Sequence, residues 1–296
     1  MRFDSILAQH RPSVSFEFFP PKTDEAARSL YATVTGLEPL GPSFVSVTCG
    51  AGGSTRERTR DLVLRLSRET ALVTVPHLTC VGSTREEVAE ILRSYVDAGI
   101  NNVLALRGDP PPGAARFEAT PGGFGYASDL VAFIKANFPT LGIGVAGYPE
   151  GHPETTDKLL DLDHLKAKVD AGADVIITQL FFDNRDFYDF VERCELVGMA
   201  APIVAGIMPI QSIAGVRRMA GLSGARLPAA LLRALRRAGE DAQKVASVGA
   251  HWATEQCRDL LDHHVRGLHF YTLNKSAATA RIYESLGVKH SRELRR

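Results

Sequence analysis

Val14-Ser15-Phe16-Glu17-Phe18-Phe19 reads as a strand, and its side chains sort onto two faces. Successive residues of a strand point to opposite sides, so Ser13, Ser15 and Glu17 share one face while Val14, Phe16 and Phe18 share the other. A strand that is apolar on one side and carries a carboxylate on the other suits a sheet closed on itself, with helices covering the outside. Seven further β-rich runs follow: Phe44 to Cys49, Val73 to Thr79, Asn102 to Arg107, Gly142 to Tyr148, Val175 to Phe181, Ile203 to Met208 and Leu268 to Leu273. Between them lie stretches of helical period, and strand-helix alternation over the whole length predicts repeated βα units.

Two of the helices carry start signals. Ser54-Thr55-Arg56-Glu57 and Ser83-Thr84-Arg85-Glu86 both fit a capping box, in which Ser or Thr and a Glu three residues on satisfy free N–H groups. Before the eighth strand the helical region is long, from about Ile213 to Leu261, and Arg226-Leu227-Pro228 breaks it into at least two pieces. The expected fold is therefore one α/β domain over residues 1–296, a (β/α)8 TIM barrel with an extra helical segment before the eighth strand. A doubly wound open sheet is disfavoured, since no G-x-G-x-x-G follows the first strand. Gly50-Ala51-Gly52-Gly53 is a weak phosphate signal, equally well explained as a tight turn before a helix.

Composition narrows the function classes. The 34 basic and 34 acidic residues cancel, so no overall field collects nucleic acid or an anionic membrane, and any anionic ligand must be held locally. The apolar runs are strand-length, short of the roughly 20 residues of a membrane helix. Met1 to Ser5 shows no signal-peptide pattern, and a cytoplasmic location is the default expectation. The four cysteines, Cys49, Cys80, Cys194 and Cys257, are scattered without metal-site spacing and read as reduced thiols. His251 and His263-His264 fall in a charged helical stretch and read as solvated; no metal is assigned.

Glu17 is expected to point inward near the rim where barrel enzymes assemble their chemistry. A carboxylate among Phe16, Phe18, Phe19, Pro20 and Pro21 is expected to be partly desolvated, with a raised pKa that lets it keep a proton and act as a general acid. The same face reading turns Val45 and Val47 outward and Ser46 and Thr48 inward. It places Asp109 just beyond the fourth strand, Gln179 at the end of the sixth, and His269 with Tyr271 in the eighth; His77, Tyr148 and His152 also fall at or after strand ends. Each alone has a structural explanation, such as a paired buried acid or a satisfied core histidine. Their convergence on one rim points to an enzyme without choosing its reaction.

The motifs choose further. Ser15-Phe16-Glu17-Phe18-Phe19-Pro20-Pro21-Lys22 resembles the N-terminal signature of methylenetetrahydrofolate reductases. Pro76-His77-Leu78-Thr79-Cys80, Leu106-Arg107-Gly108-Asp109, Tyr126-Ala127-Ser128-Asp129, Tyr148-Pro149-Glu150-Gly151-His152-Pro153, Ile177 to Asp183 and His269-Phe270-Tyr271-Thr272-Leu273-Asn274 match in order, over nearly the whole chain. The resemblance implies a barrel that binds FAD and reduces 5,10-methylenetetrahydrofolate to 5-methyltetrahydrofolate with NADH or NADPH, the two substrates using one pocket in turn. The length is similar to that of the short bacterial form. On this resemblance Glu17 is the acid that protonates folate N10, Asp109 is the carboxylate near flavin and pterin, and Gln179, Tyr271 and Lys275 seat the folate. It assigns FAD to Thr48, His77, Arg107, Gly108, Asp109, Tyr126, Ala127, Tyr148, His152, Asp161 and Lys168, with Arg107 and Lys168 supplying charge for the pyrophosphate. The implied partners are small molecules, with no nucleic acid or membrane, and a homo-oligomer is compatible. Departures fall at Cys49, His164, Ala167 and Lys275. They raise a flavin-free reductase as one alternative; a related flavin barrel oxidising an amino acid such as proline and a non-catalytic folate- or flavin-binding subunit are the others.

Overall fold

The computed structural model describes residues 1–295 except 51, 52, 54, 111, 112, 115 and 156, so Ala51, Gly52 and Ser54, named above in the glycine-rich turn and the first capping box, lie outside the described residues. Eight parallel strands close into a barrel in sequence order: β1 (Ser13–Phe18), β2 (Phe44–Val47), β3 (Thr74–Thr79), β4 (Asn102–Leu106), β5 (Gly142–Gly147), β6 (Val175–Thr178), β7 (Ile203–Ile207) and β8 (Gly267–Tyr271). All eight expected strands are present. Several end earlier than their apolar runs, most of all β6, which stops at Thr178 because the chain leaves the ladder there; Phe181 and Phe182 instead pack beneath surrounding helices.

Alternation in β1 holds. Val14, Phe16 and Phe18 lie in the outer apolar layer with Val45, Val47 and the helices, while Glu17 stands level with Ser46 of β2 and Tyr271 of β8 on the inner face. The barrel floor is apolar. Helix α1 (Phe3–Gln9) has Phe3, Ile6 and Leu7 at helical spacing on one face, and these plug the interior against Phe44, Val75, Leu104, Val175, Ile177 and Val204. Both ends of the Asn102 amide fasten this plug, Oδ1 accepting from Phe3 N at 2.7 Å and Nδ2 donating to the Met1 carbonyl at 2.7 Å.

The remaining barrel helices are α2 (Asp24–Leu37), α3 (Arg56–Glu69), α4 (Arg85–Asp97), α5 (Ala127–Asn137), α6 (Lys158–Asp170), α7 (Asn184–Leu196) and the C-terminal α11 (Ala277–Leu286). The second capping box is shifted by one residue from the expected register: Thr84 caps, and Glu87 returns the bond to the Thr84 N–H. Ser83, expected to cap, is buried instead, and Glu86 lies one position short of the return bond. The insertion is three helices, α8 (Ile213–Ser223), α9 (Ala229–Ala238) and α10 (Ala242–Asp262), because Asp241 opens a new cap after the Pro228 break. His263 and His264, expected on a solvated helix face, sit past the end of α10, with His264 in the left-handed region.

This insertion builds a second apolar cluster against Leu180, Phe182, Met208 and Ile210, the residues that follow β6 and β7. Trp252 Nε1 donates to the Phe182 carbonyl at 3.0 Å and Gln256 Nε2 to that of Phe181 at 3.1 Å. The β6 loop is thereby held as one wall of the barrel mouth. Across the mouth, β1 and β8 are clasped together. Asn274 Oδ1 accepts from Phe19 N at 2.8 Å, its Nδ2 donates to Phe19 O at 2.9 Å, and Thr272 Oγ1 donates to Glu17 O at 2.6 Å. Asn274 also has φ 57°, a conformation asparagine tolerates better than most side chains. Asn274→Ala is expected to lose both backbone bonds and this tolerance, lowering stability by about 1–3 kcal/mol in chemical denaturation. An unchanged midpoint and slope would show the clasp to be dispensable.

Candidate active site

Glu17 is buried at the barrel axis and faces two imidazoles. His269 Nε2 and His77 Nε2 each lie 3.4 Å from Glu17 Oε2, approaching from β8 and β3. Only the His269 approach has hydrogen-bond alignment; His77 Nε2 is buried and lies close without a bond. His269 is oriented from behind, with Nδ1 2.8 Å from Ser15 Oγ and its ring stacked at 6.2 Å on Phe44 of the floor.

This arrangement reverses the expected titration of Glu17. Burial does push its pKa upward, but the facing His269 and His77 outweigh it and hold the carboxyl down at about 2. The phenylalanines thought to desolvate Glu17 point the other way: Phe16 and Phe18 belong to the outer layer, as strand alternation requires. In the ligand-free chain Glu17 is thus a carboxylate at neutral pH, with an imidazole on either side.

Tyr271 completes the inner wall. Its hydroxyl donates to the Thr178 carbonyl at 2.7 Å, its ring meets that of His269 edge-on at 5.2 Å, and burial with the nearby Glu17 charge raises its pKa well above the usual phenol range. Tyr148, at the end of β5, is pushed up to about 12 by burial and then by Asp109, which places the Asp109 charge within reach of the same mouth. Asp109 itself is exposed just beyond β4. Gln179, one residue past β6, folds its Oε1 back onto Leu180 N at 2.9 Å. Lys275 is exposed beyond β8.

The other candidate residues lie at or beyond the ends of β2 to β5 and in α6. Thr48 is buried at the end of β2, where its carbonyl accepts from Thr59 Oγ1 at 2.8 Å. Gly108 has φ +87°, and a Cβ there would come within 2.8 Å of Val81 Cγ1 and 3.0 Å of Thr79 Cβ, so backbone runs where no side chain fits. Tyr126, 61% exposed, leads into α5 just ahead of Ala127, its ring tilted toward His164 at 6.1 Å. The His152 backbone N–H donates to Asp161 Oδ2 at 3.2 Å, and burial together with Arg107 lowers the His152 pKa.

The two cations of this set are already engaged. Arg107 pairs with Glu154 at 2.9 Å, and Lys168 donates to the Ala146 carbonyl at 2.6 Å. Burial lowers the Lys168 pKa to about 8, partly offset by Asp161. Glu154 escaped the sequence reading, as did the contact of His77 and His269 with Glu17. A glutamate in a loop carries no signal of the arginine it will meet, and the imidazoles come from strands far away in sequence, β8 beside β1 and β3 across the barrel, that meet Glu17 only once the barrel closes.

Fold and rim together define a (β/α)8 barrel with a buried carboxylate between two imidazoles near the C-terminal ends of its strands. The sequence pattern of one family, Methylenetetrahydrofolate reductase, matches residues 2–287. The chain is 42% identical to "Methylenetetrahydrofolate reductase (NADH) 1" of Arabidopsis thaliana over 97% of its own length, and spans about half of that relative, 50%. It is 39% identical to "5,10-methylenetetrahydrofolate reductase" of Escherichia coli K12, covering 95% of this chain and 93% of the relative. A Clostridium thermocellum protein described as binding two copies of 5-methyl-5,6,7,8-tetrahydrofolic acid shares the fold at TM-score 0.66 and 15% identity, over 98% of this chain and 99% of that one. The chain belongs to the methylenetetrahydrofolate reductase family.

Proposed function

We propose that the chain reduces 5,10-methylenetetrahydrofolate to 5-methyltetrahydrofolate, with FAD as resident cofactor and NADH or NADPH as electron source. The observation that carries this reading is Glu17, a carboxylate at the axis between two imidazoles, in a chain of this family. The rim chemistry suits FAD: a cationic pair, a glycine at which a Cβ would fill the space, and an exposed tyrosine are all in this set. Arg107 and Lys168 would face the pyrophosphate, Arg107 exchanging Glu154 for a phosphate oxygen. Thr48, His77, Gly108, Asp109, Tyr126, Ala127, Tyr148, His152 and Asp161 would line the rest. When bound, FAD supplies a two-electron store that nicotinamide and folate use in turn, a ping-pong scheme.

Glu17 acts as the general acid at folate N10. It does not arrive protonated, so the site must raise its pKa during turnover. A pterin seated over the mouth removes residual water and competes with the imidazoles for the carboxylate, and both changes favour the neutral acid. Asp109 supplies negative charge that favours the cation formed when the imidazolidine ring opens. Tyr271 and a Gln179 amide rotated off Leu180 N hold the pterin, and the exposed Lys275 faces the folate tail.

The reading is tested by the visible spectrum of the purified chain during anaerobic additions. NADH or NADPH is expected to bleach a flavin band, and methylenetetrahydrofolate to restore it. Absence of bleaching with either nucleotide would remove FAD from the scheme; bleaching without recovery would remove the folate.

A further inference from the structure

On the face opposite the mouth, β1 and β8 begin side by side, with Ser13 level with Gly267. An arginine precedes each strand. Arg11 lies two residues before β1 and Arg266 one residue before β8, and Ser13 N–H fixes the Arg266 backbone by donating to its carbonyl at 3.1 Å. The two side chains line one cavity of about 210 Å³ together with His264, and Pro12, Leu261, Val265 and Leu294 complete its lining.

No ion pair or side-chain hydrogen bond engages Arg11 or Arg266 among the described residues, although the chain has as many acids as bases. Two acids of α10, Glu255 and Asp259, have partners of their own, Glu255 pairing with Arg258. Asp259 takes bonds from Asn184 Nδ2 and Tyr188 Oη at 2.7 and 2.6 Å, and the Asp262 charge helps raise the Tyr188 pKa. The last carbonyls of α10 are also satisfied, those of Asp259, Leu260 and Leu261 by the N–H groups of His263, Val265 and His264. More positive charge stands close by, for Arg292 and Arg295 both act, after burial, to lower the pKa of His10 beside Arg11. Arg295 Nε is buried without a partner among the described residues. Burial and the repulsion of Arg11 lower even the Arg266 pKa.

Like charges gathered around one pocket repel each other and become favourable around an anion. Two guanidinium forks match a tetrahedral oxyanion, since each can bond two of its oxygens. The cavity has room for such an ion with some of its water, and the half-buried Arg266 is less hydrated than on open surface.

We propose that this pocket is a second ligand site, on the far side of the barrel from the mouth, which binds a phosphate dianion through Arg11 and Arg266. The dianion is either free inorganic phosphate or the phosphomonoester end of a small metabolite. The site does not depend on the reading of the mouth given above.

The test is the melting temperature of the full chain titrated with inorganic phosphate at constant ionic strength, with chloride as control. A saturable rise of about 2 °C or more is expected for the native chain and none for the R11Q/R266Q double variant. Should R266Q disturb the start of β8, R11Q alone, at an exposed position, is expected to weaken phosphate about tenfold. Glycerol 3-phosphate and AMP separate the two sources: tighter binding than inorganic phosphate assigns a phosphomonoester, and equal or weaker binding assigns the free ion. Absence of a rise, a rise that does not saturate, or one equal in R11Q and the native chain would overturn the site. So would a rise abolished by R107Q, which would put the anion at the mouth.

Discussion

Replacing Glu17 with glutamine is expected to lower folate turnover by about 10²–10⁴-fold while leaving reduction of bound flavin by NADH or NADPH largely intact. The amide keeps the size and can still meet His269, so the barrel mouth should hold its shape. What it cannot do is deliver a proton to a leaving nitrogen. The two half-reactions must therefore be followed separately under anaerobic conditions, and near-normal folate turnover in the variant would rule out Glu17 as the acid. Equal loss of both half-reactions would indicate a collapsed site rather than missing acid chemistry.

The same carboxylate gives a signed pH dependence. Its folded pKa of about 2 lies below the ordinary 4.5, so its contribution to stability is fully present above about pH 4.5 and is lost as pH falls through about 2. Glu17→Gln removes this component. Acid unfolding of the ligand-free native chain should therefore be steeper between those limits than that of the variant, and superimposable stability curves would contradict the imidazole contacts.

Glu17 also marks how far the sequence is legible. Its inward direction follows from a period of two, a local property of β1, as do the outward Phe16 and Phe18. Its protonation does not follow, because His77 and His269 are distant in sequence and reach it only after eight strands close. Local propensity similarly reveals a long helical insertion with a break at Pro228. The apolar cluster that turns this insertion into a wall of the mouth depends on Leu180 and Phe182, which the strand pattern had assigned to or beside β6. The one-residue slip of the capping box has the same origin: Ser83 and Thr84 are chemically equal caps, and tertiary burial of Ser83 decides between them. The arginines ahead of β1 and β8 carry no local signal of each other, since they are far apart in sequence and only the register of the closed barrel sets them side by side.

Gly206→Val is expected to damage stability and folate binding together. Gly206 lies on β7, level with His269 and facing inward. A Cβ there would overlap the Thr178 carbonyl oxygen and come within 2.8 Å of Tyr271 Cε2. Thr178 cannot yield freely, because its Oγ1 accepts from Gly206 N at 2.9 Å and the adjoining residues of β6 pair with β7. The ring of Tyr271 is the movable partner. Displacing it breaks the 2.7 Å bond from its hydroxyl to Thr178 O and swings the phenol away from Glu17 and His269. Overpacking of this kind costs about 1–3 kcal/mol, measurable by denaturant titration. Because Tyr271 is assigned to folate and not to flavin, the KM for methylenetetrahydrofolate should rise while flavin reduction is preserved. Tyr271→Phe, which keeps the ring and loses only the hydroxyl bond, should show a smaller KM change. If the valine variant kept a native KM for folate, the position of the Tyr271 ring would have no part in substrate binding, and Gly206 would serve only the packing of β6 against β7.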